Sequence, residues 1–142
     1  MRRSWKRHTP VLAAIAAGGV VGAEARYALT LLNADPPAFP WVTLVENITG
    51  CFLIGVLMAV LTQLTAPHPL LRPFLGIGVL GGYTTFSAYA VEVRVLLLDD
   101  RALAALVYLV VTPIGALGAV LLATRGTPAL LRMLRQRGTD TS

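Results

Sequence analysis

Long apolar runs separated by short polar breaks dominate this chain. Four of them, residues 11–32, 41–64, 70–98 and 103–123, are long enough for the roughly 20 apolar residues that cross a bilayer's hydrocarbon. Glu24 and Arg26 interrupt the first, Glu46 and Asn47 lie inside the second, and the third holds Gly81-Gly82-Tyr83-Thr84-Thr85-Phe86-Ser87. The punctuation is Asp35-Pro36-Pro37, Pro67-His68-Pro69, Asp99-Asp100-Arg101 and Gly126-Thr127-Pro128. Every span is expected to be helical, because lipid offers no hydrogen-bond partner to an open backbone. The pattern predicts an all-α membrane protein with four transmembrane helices. A basic N-terminus (residues 1–10) precedes the helical domain (11–124), and a basic tail (125–142) follows it. Glycines 76, 78, 81 and 82 run straight into Thr84, Thr85 and Ser87, so the third helix is expected to break near its centre.

Composition agrees with a bilayer solvent. Of 142 residues, 56% are hydrophobic and only 13% charged, against roughly 25% charged in a soluble domain. A water-soluble fold could not cover its surface with so few polar groups. Nine of the 12 basic residues (Arg2, Arg3, Lys6, Arg7, Arg72, Arg125, Arg132, Arg135 and Arg137) fall on the side of the termini and the second loop. Arg94 and Arg101 lie opposite, and Arg26 lies within a span. That bias predicts a cytoplasmic location for both termini of a multi-pass membrane protein. The basic start followed by Ala23-Glu24-Ala25 also imitates a secretory signal, a reading opposed by the apolar pattern resuming at Tyr27. Beyond Pro128, leucines alternate with arginines, as in a short basic helix lying on an anionic membrane surface or a solvated tail.

No enzyme signature is present: the sequence holds no phosphate loop, metal-binding HExxH or nucleophile elbow. The single cysteine, Cys51, excludes an internal disulfide and reads as a packing residue. The informative groups are the polar ones inside the spans, which normally face a bundle interior or an aqueous path. Thr43, Asn47 and Gly50 share one helix face, as do Tyr108, Thr112 and Ala116 in the fourth span. Those hydroxyls could form a ladder of donors, or Thr112 could bond its own helix while Tyr108 anchors at an interface. A broken third span would free amides at one half-helix start and carbonyls at the other half's end. Such carbonyls suit a small cation such as sodium. Gly18-xxx-Gly22 and Gly78-xxx-Gly82 fit close helix packing, a reading compatible with the break. Phe86 and Tyr89 project from one face, where positive ring edges could attract an anion.

Three motifs together resemble the Fluc (CrcB-like) bacterial fluoride channels. They are Gly18-Gly19-x-x-Gly22-Ala23-x-x-Arg26-Tyr27, Thr43-Leu44-x-x-Asn47-x-x-Gly50-x-Phe52-x-x-Gly55, and Gly81-Gly82-x-Thr84-Thr85-Phe86-Ser87. The resemblance covers the four spans and implies a dimer of antiparallel subunits, with two fluoride pores at the interface. It also implies a central structural Na+ held by backbone carbonyls, here those of Gly81 and Thr84. The pore residues it implies are Asn47, Thr85, Phe86, Ser87 and Tyr89, the fourth-span track Tyr108 and Thr112, and Arg26 near the vestibule. The implied partners are fluoride, membrane lipid and a second subunit, with no nucleic acid.

The chain departs from that family's pattern in three places. Tyr89 stands where phenylalanine is usual and brings a hydroxyl donor; Ala116 stands where a hydroxyl is common. Glu46 stands beside Asn47 where the family has an apolar residue. Its carboxylate could repel fluoride, carry a proton, or pair with Arg26 or Arg94. The charge bias is a further oddity, since a homodimer of opposed subunits needs a chain that inserts both ways. It sets a heterodimer with an oppositely oriented homologue beside the homodimer as the expected assembly. Two other classes stand beside the channel: a small multidrug-type proton-coupled antiporter using Glu24 or Glu46, and a non-transporting accessory half of a heterodimer.

Overall fold

The computed structural model describes residues 2–31 and 39–139. The expected break at Asp35-Pro36-Pro37 and the last residue of the first span lie outside them. All regular structure among the described residues is helical: α1 (Arg2–Leu31), α2 (Trp41–Leu61), a π-helical segment (Arg72–Leu80) running into the turn α3 (Gly81–Tyr83), α4 (Phe86–Leu98) and α5 (Ala102–Thr139). Four stretches are long and apolar enough to cross a membrane: His8–Leu31, Trp41–Leu61, Arg72–Leu98 and Ala102–Leu134. The protein is a multi-pass, all-α membrane protein whose third span is broken, as the glycine–threonine run predicts.

Small residues set the packing. α1 lies along the first half of the third span, where Gly18 approaches the Phe74 carbonyl and the Gly78 backbone. One turn on, a Cβ at Gly22 would overlap the Val79 carbonyl and come within 2.8 Å of the Tyr83 nitrogen. Gly82 sits against the Gly19 carbonyl in the same way. Both small-residue motifs therefore serve one interlock, where backbones touch because no side chain stands between them. Ala23, inside the would-be signal cleavage motif, has its backbone against Gly82. α1 is thus an integral wall of the bundle.

On the other side, α5 packs along α2 and α4. The buried cluster there is Leu44, Tyr89, Leu96, Ala105 and Tyr108, with Phe39 and Ile48 against it. Most other large apolar side chains point outward, as expected where lipid is the solvent.

One difference from the sequence reading concerns α5. Its helix does not stop at Gly126-Thr127-Pro128 but continues to Thr139. A proline inside a helix removes one amide and leaves one carbonyl unpaired without ending the helix outright. The N-terminal side behaves alike, since α1 starts at Arg2 and contains Pro10.

Candidate functional site

The break is two residues long. Thr84 (φ −78°, ψ 153°) and Thr85 (φ −146°, ψ 124°) are both extended. An extended pair this deep in a span exposes backbone groups that must find partners, and Asn47 on α2 supplies them. Its Nδ2 donates to the Thr85 carbonyl at 3.0 Å, and the Thr85 amide donates to its Oδ1 at 2.8 Å. A side-chain amide is the one neutral group carrying donor and acceptor in that fork. Gly50, one turn along α2, leaves room for the Thr84 methyl group and the Tyr83 ring.

The clamp has a consequence for carbonyls. In a continuous helix the Thr85 amide would bond the Gly81 carbonyl; here it goes to Asn47. The Ala88 amide would bond the Thr84 carbonyl but bonds Thr85 Oγ1 at 3.2 Å, which caps α4. Gly81 and Thr84 thus lose the helical donors that their carbonyls would have had. The neighbouring Gly82 carbonyl accepts from Arg26 Nε at 3.3 Å.

Beside the break a groove of about 380 Å³ opens on the protein's flank. Asn47 and Cys51 line it from α2, Thr84, Thr85, Phe86 and Tyr89 from the third span, and Leu109, Thr112, Pro113 and Ala116 from α5. Phe86 is 80% exposed at its edge, its ring centroid 5.6 Å from that of the buried Tyr89. Thr112 is buried and its Oγ1 has no hydrogen-bond partner. An orphaned hydroxyl lining a groove marks a place where a ligand or water would be bound. Ser87 is exposed and sits 3.3 Å from the Thr85 hydroxyl.

The family model for CrcB-like protein, Camphor Resistance (CrcB), matches residues 13–124. This chain belongs to the CrcB-like family. Three relatives of this CrcB-like chain carry the name fluoride-specific ion channel. FluC 1 of Streptomyces coelicolor is 48% identical over 132 residues, covering 92% of this chain and 86% of the relative. FluC 2 of Nocardia farcinica is 50% identical over 115 residues, covering 80% of this chain and 82% of the relative. FluC 2 of Thermobifida fusca is 49% identical over 129 residues, covering 90% and 96%. The matched region runs from within the first apolar span to Thr124 in the fourth, so the CrcB-like relationship reaches all four spans.

Against that background the expected fourth-span ladder divides. Thr112 faces the groove, bonding neither its own helix nor any other group. Tyr108 is fully buried, anchors at no interface, and donates to Glu92 Oε2 at 2.6 Å. Thr43 donates to the other oxygen, Glu92 Oε1, at 2.7 Å. The Tyr89 hydroxyl is not the free donor its presence suggested, since it bonds the Leu109 carbonyl at 2.8 Å. Pro113 explains this, because it cannot give Leu109 the helical amide.

Glu46 makes neither ion pair proposed for it. It is 1% exposed, its Oε1 has no partner, and the nearby Arg26 is turned to the Gly82 carbonyl. Glu24, the other candidate carboxylate, lies on the exposed face of α1. Glu92 is the residue that sequence reasoning missed. A signal existed: it continues the stripe of Phe86 and Tyr89 at three-residue spacing, as a lone carboxylate in an apolar run.

Proposed function

We propose that this chain is a subunit of a fluoride-selective channel that lets fluoride leave the cell passively through the cytoplasmic membrane. The observation that carries the reading is the groove beside the Thr84–Thr85 break, with the orphaned Thr112 hydroxyl facing it. Membership in a family whose relatives are named fluoride-specific ion channels gives the ion. Those relatives carry a channel's name and not an enzyme's.

Fluoride holds its water strongly, so a pore must offer hydrogen-bond donors in place of that shell. Thr112 supplies a hydroxyl, and the half-helix α4 begins at the groove with its positive end. The second N–H of Asn47 Nδ2 is a further donor, its first being held by Thr85. The positive edges of Phe86 and Tyr89 assist, and Ser87 and Arg26 serve the approaches. No energy source is needed, because a potential negative inside drives an anion outward.

The groove is open on one flank with Phe86 bare at its edge, which supports completion by a second subunit. Sodium fits the same reading. The Gly81 and Thr84 carbonyls have lost their helical donors, and a hard cation takes oxygen ligands of that kind. Among the described residues no cluster of three His, Cys, Asp or Glu offers an alternative site. Nine basic residues on one side of the spans against two on the other favour a single orientation, hence an oppositely inserted homologue as partner.

The deciding experiment is fluoride efflux from liposomes containing the purified protein, followed with a fluoride electrode beside a chloride control. Fluoride-selective release that is lost in Phe86→Ile supports the channel. Efflux of neither ion, alone or with a co-expressed homologue, overturns it.

A further inference from the structure

The C-terminal half-turns of α5 have no place in the conduction groove, yet they are built in a recognisable way. α5 holds 38 residues, about 57 Å at 1.5 Å per residue, nearly twice a hydrocarbon core of about 30 Å. Asp99, Asp100 and Arg101 fix its start at one membrane face. About 20 residues cross the core, so the helix leaves it near Leu122 and everything from Arg125 onward lies outside.

That outer stretch is not built for water. Leu130, Met133 and Leu134 share one helical face by their spacing and are 57%, 63% and 55% exposed. Nothing lies within 4 Å of where a Cβ on Gly126 would stand. Between Thr124 and Thr139 there are four arginines and no acidic residue. Arg125 and Arg132 are exposed, and Arg132 bonds the Pro128 carbonyl at 3.3 Å. Three large apolar side chains exposed on one face of a helix call for an apolar cover. Pro128 withholds an amide from the Thr124 carbonyl and weakens the helix near the start of the arm.

We propose that residues 125–139 are an interfacial arm that bends at Pro128 and docks on the anionic headgroups of the leaflet facing the termini. The apolar face enters the headgroup–acyl boundary, and Arg125 and Arg132 engage lipid phosphates at its rim. The charge selects the occupant. A run of arginines without a single carboxylate matches an anionic surface, and it repels the same arm of a neighbouring copy. The inference needs only the membrane-spanning fold and stands independently of which ion the protein conducts.

Hydrogen exchange on the intact wild-type protein in liposomes tests this directly. The amides of residues 126–139 exchange about tenfold or more slowly in phosphatidylglycerol than in phosphatidylcholine vesicles, and high salt narrows the gap. Arg125→Gln with Arg132→Gln narrows it at low salt, while Leu130→Ser with Leu134→Ser removes protection in both lipids. Equal exchange in the two wild-type samples overturns the proposal. So does protection that follows protein density and not lipid charge, which would assign the face to a second copy. The wild-type comparison carries the test even if a variant misfolds.

Discussion

Pro113 cannot give the Leu109 carbonyl an amide hydrogen, and Tyr89 takes over that role at 2.8 Å. Tyr89→Phe should therefore lower the melting temperature in detergent by the equivalent of about 1–2 kcal/mol, the cost of one unsatisfied buried carbonyl. Asn47 carries more, because two bonds across the break depend on one side chain. Asn47→Ala leaves both Thr85 backbone groups bare, with an expected loss of about 2–4 kcal/mol and collapse of fluoride efflux. Asn47→Asp is the sharper probe. It keeps an acceptor for the Thr85 amide but faces the Thr85 carbonyl with a second oxygen, so efflux should fall although the volume is unchanged. Glu46 predicts the reverse sign. Its buried Oε1 has no partner, and such a group costs about 1–3 kcal/mol. Glu46→Leu should therefore raise the melting temperature while fluoride flux persists. An antiporter that used this carboxylate would lose all transport in the same variant.

At the scale of elements, two devices set the geometry: a glycine interlock and a two-residue break. The interlock lets α1 and the first half of the third span meet backbone to backbone, which holds Arg26 at the Gly82 carbonyl. Gly22→Val puts three carbons where the Val79 carbonyl stands. The helices must separate, and the protein should lose its monodisperse peak on size exclusion. Gly118→Ala meets nothing within 4 Å in the subunit, so the same assay should show no change. The break depends on Thr85 as the cap of α4, where its hydroxyl accepts from Ala88. That bond and the Asn47 clamp together keep Thr84 and Thr85 extended.

For the whole molecule the open question is orientation. The distribution of basic residues predicts that every copy places its termini in the cytoplasm. Trypsin added at high salt, which releases the α5 arm, should then cut it in all copies in inside-out vesicles and in none in intact spheroplasts. Mixed orientation together with full efflux from this chain alone would sink the heterodimer. The groove's open flank gives the same question a second handle. A partner surface covering Phe86 should protect a label placed at that edge only when the conducting assembly has formed.

Span number, helical class and the position of the break were legible in the sequence because each depends on local composition. A bilayer demands long apolar runs, and Gly-Gly-x-Thr-Thr cannot hold a helix as well as its neighbours. The Thr43–Asn47–Gly50 face was legible too, since helical spacing alone puts these residues together, and all three are buried. Which hydroxyls remain free could not be read this way. Tyr108 and Thr112 look alike in sequence, yet one is consumed by Glu92 and the other faces the groove alone. The length of α5 also escaped a reading that treats Gly-Thr-Pro as a stop, because a proline removes one hydrogen bond and not a helix. Spacing along one helix determines which residues share a face. What each of them meets there depends on neighbours contributed by other helices, and only the tertiary structure decides those.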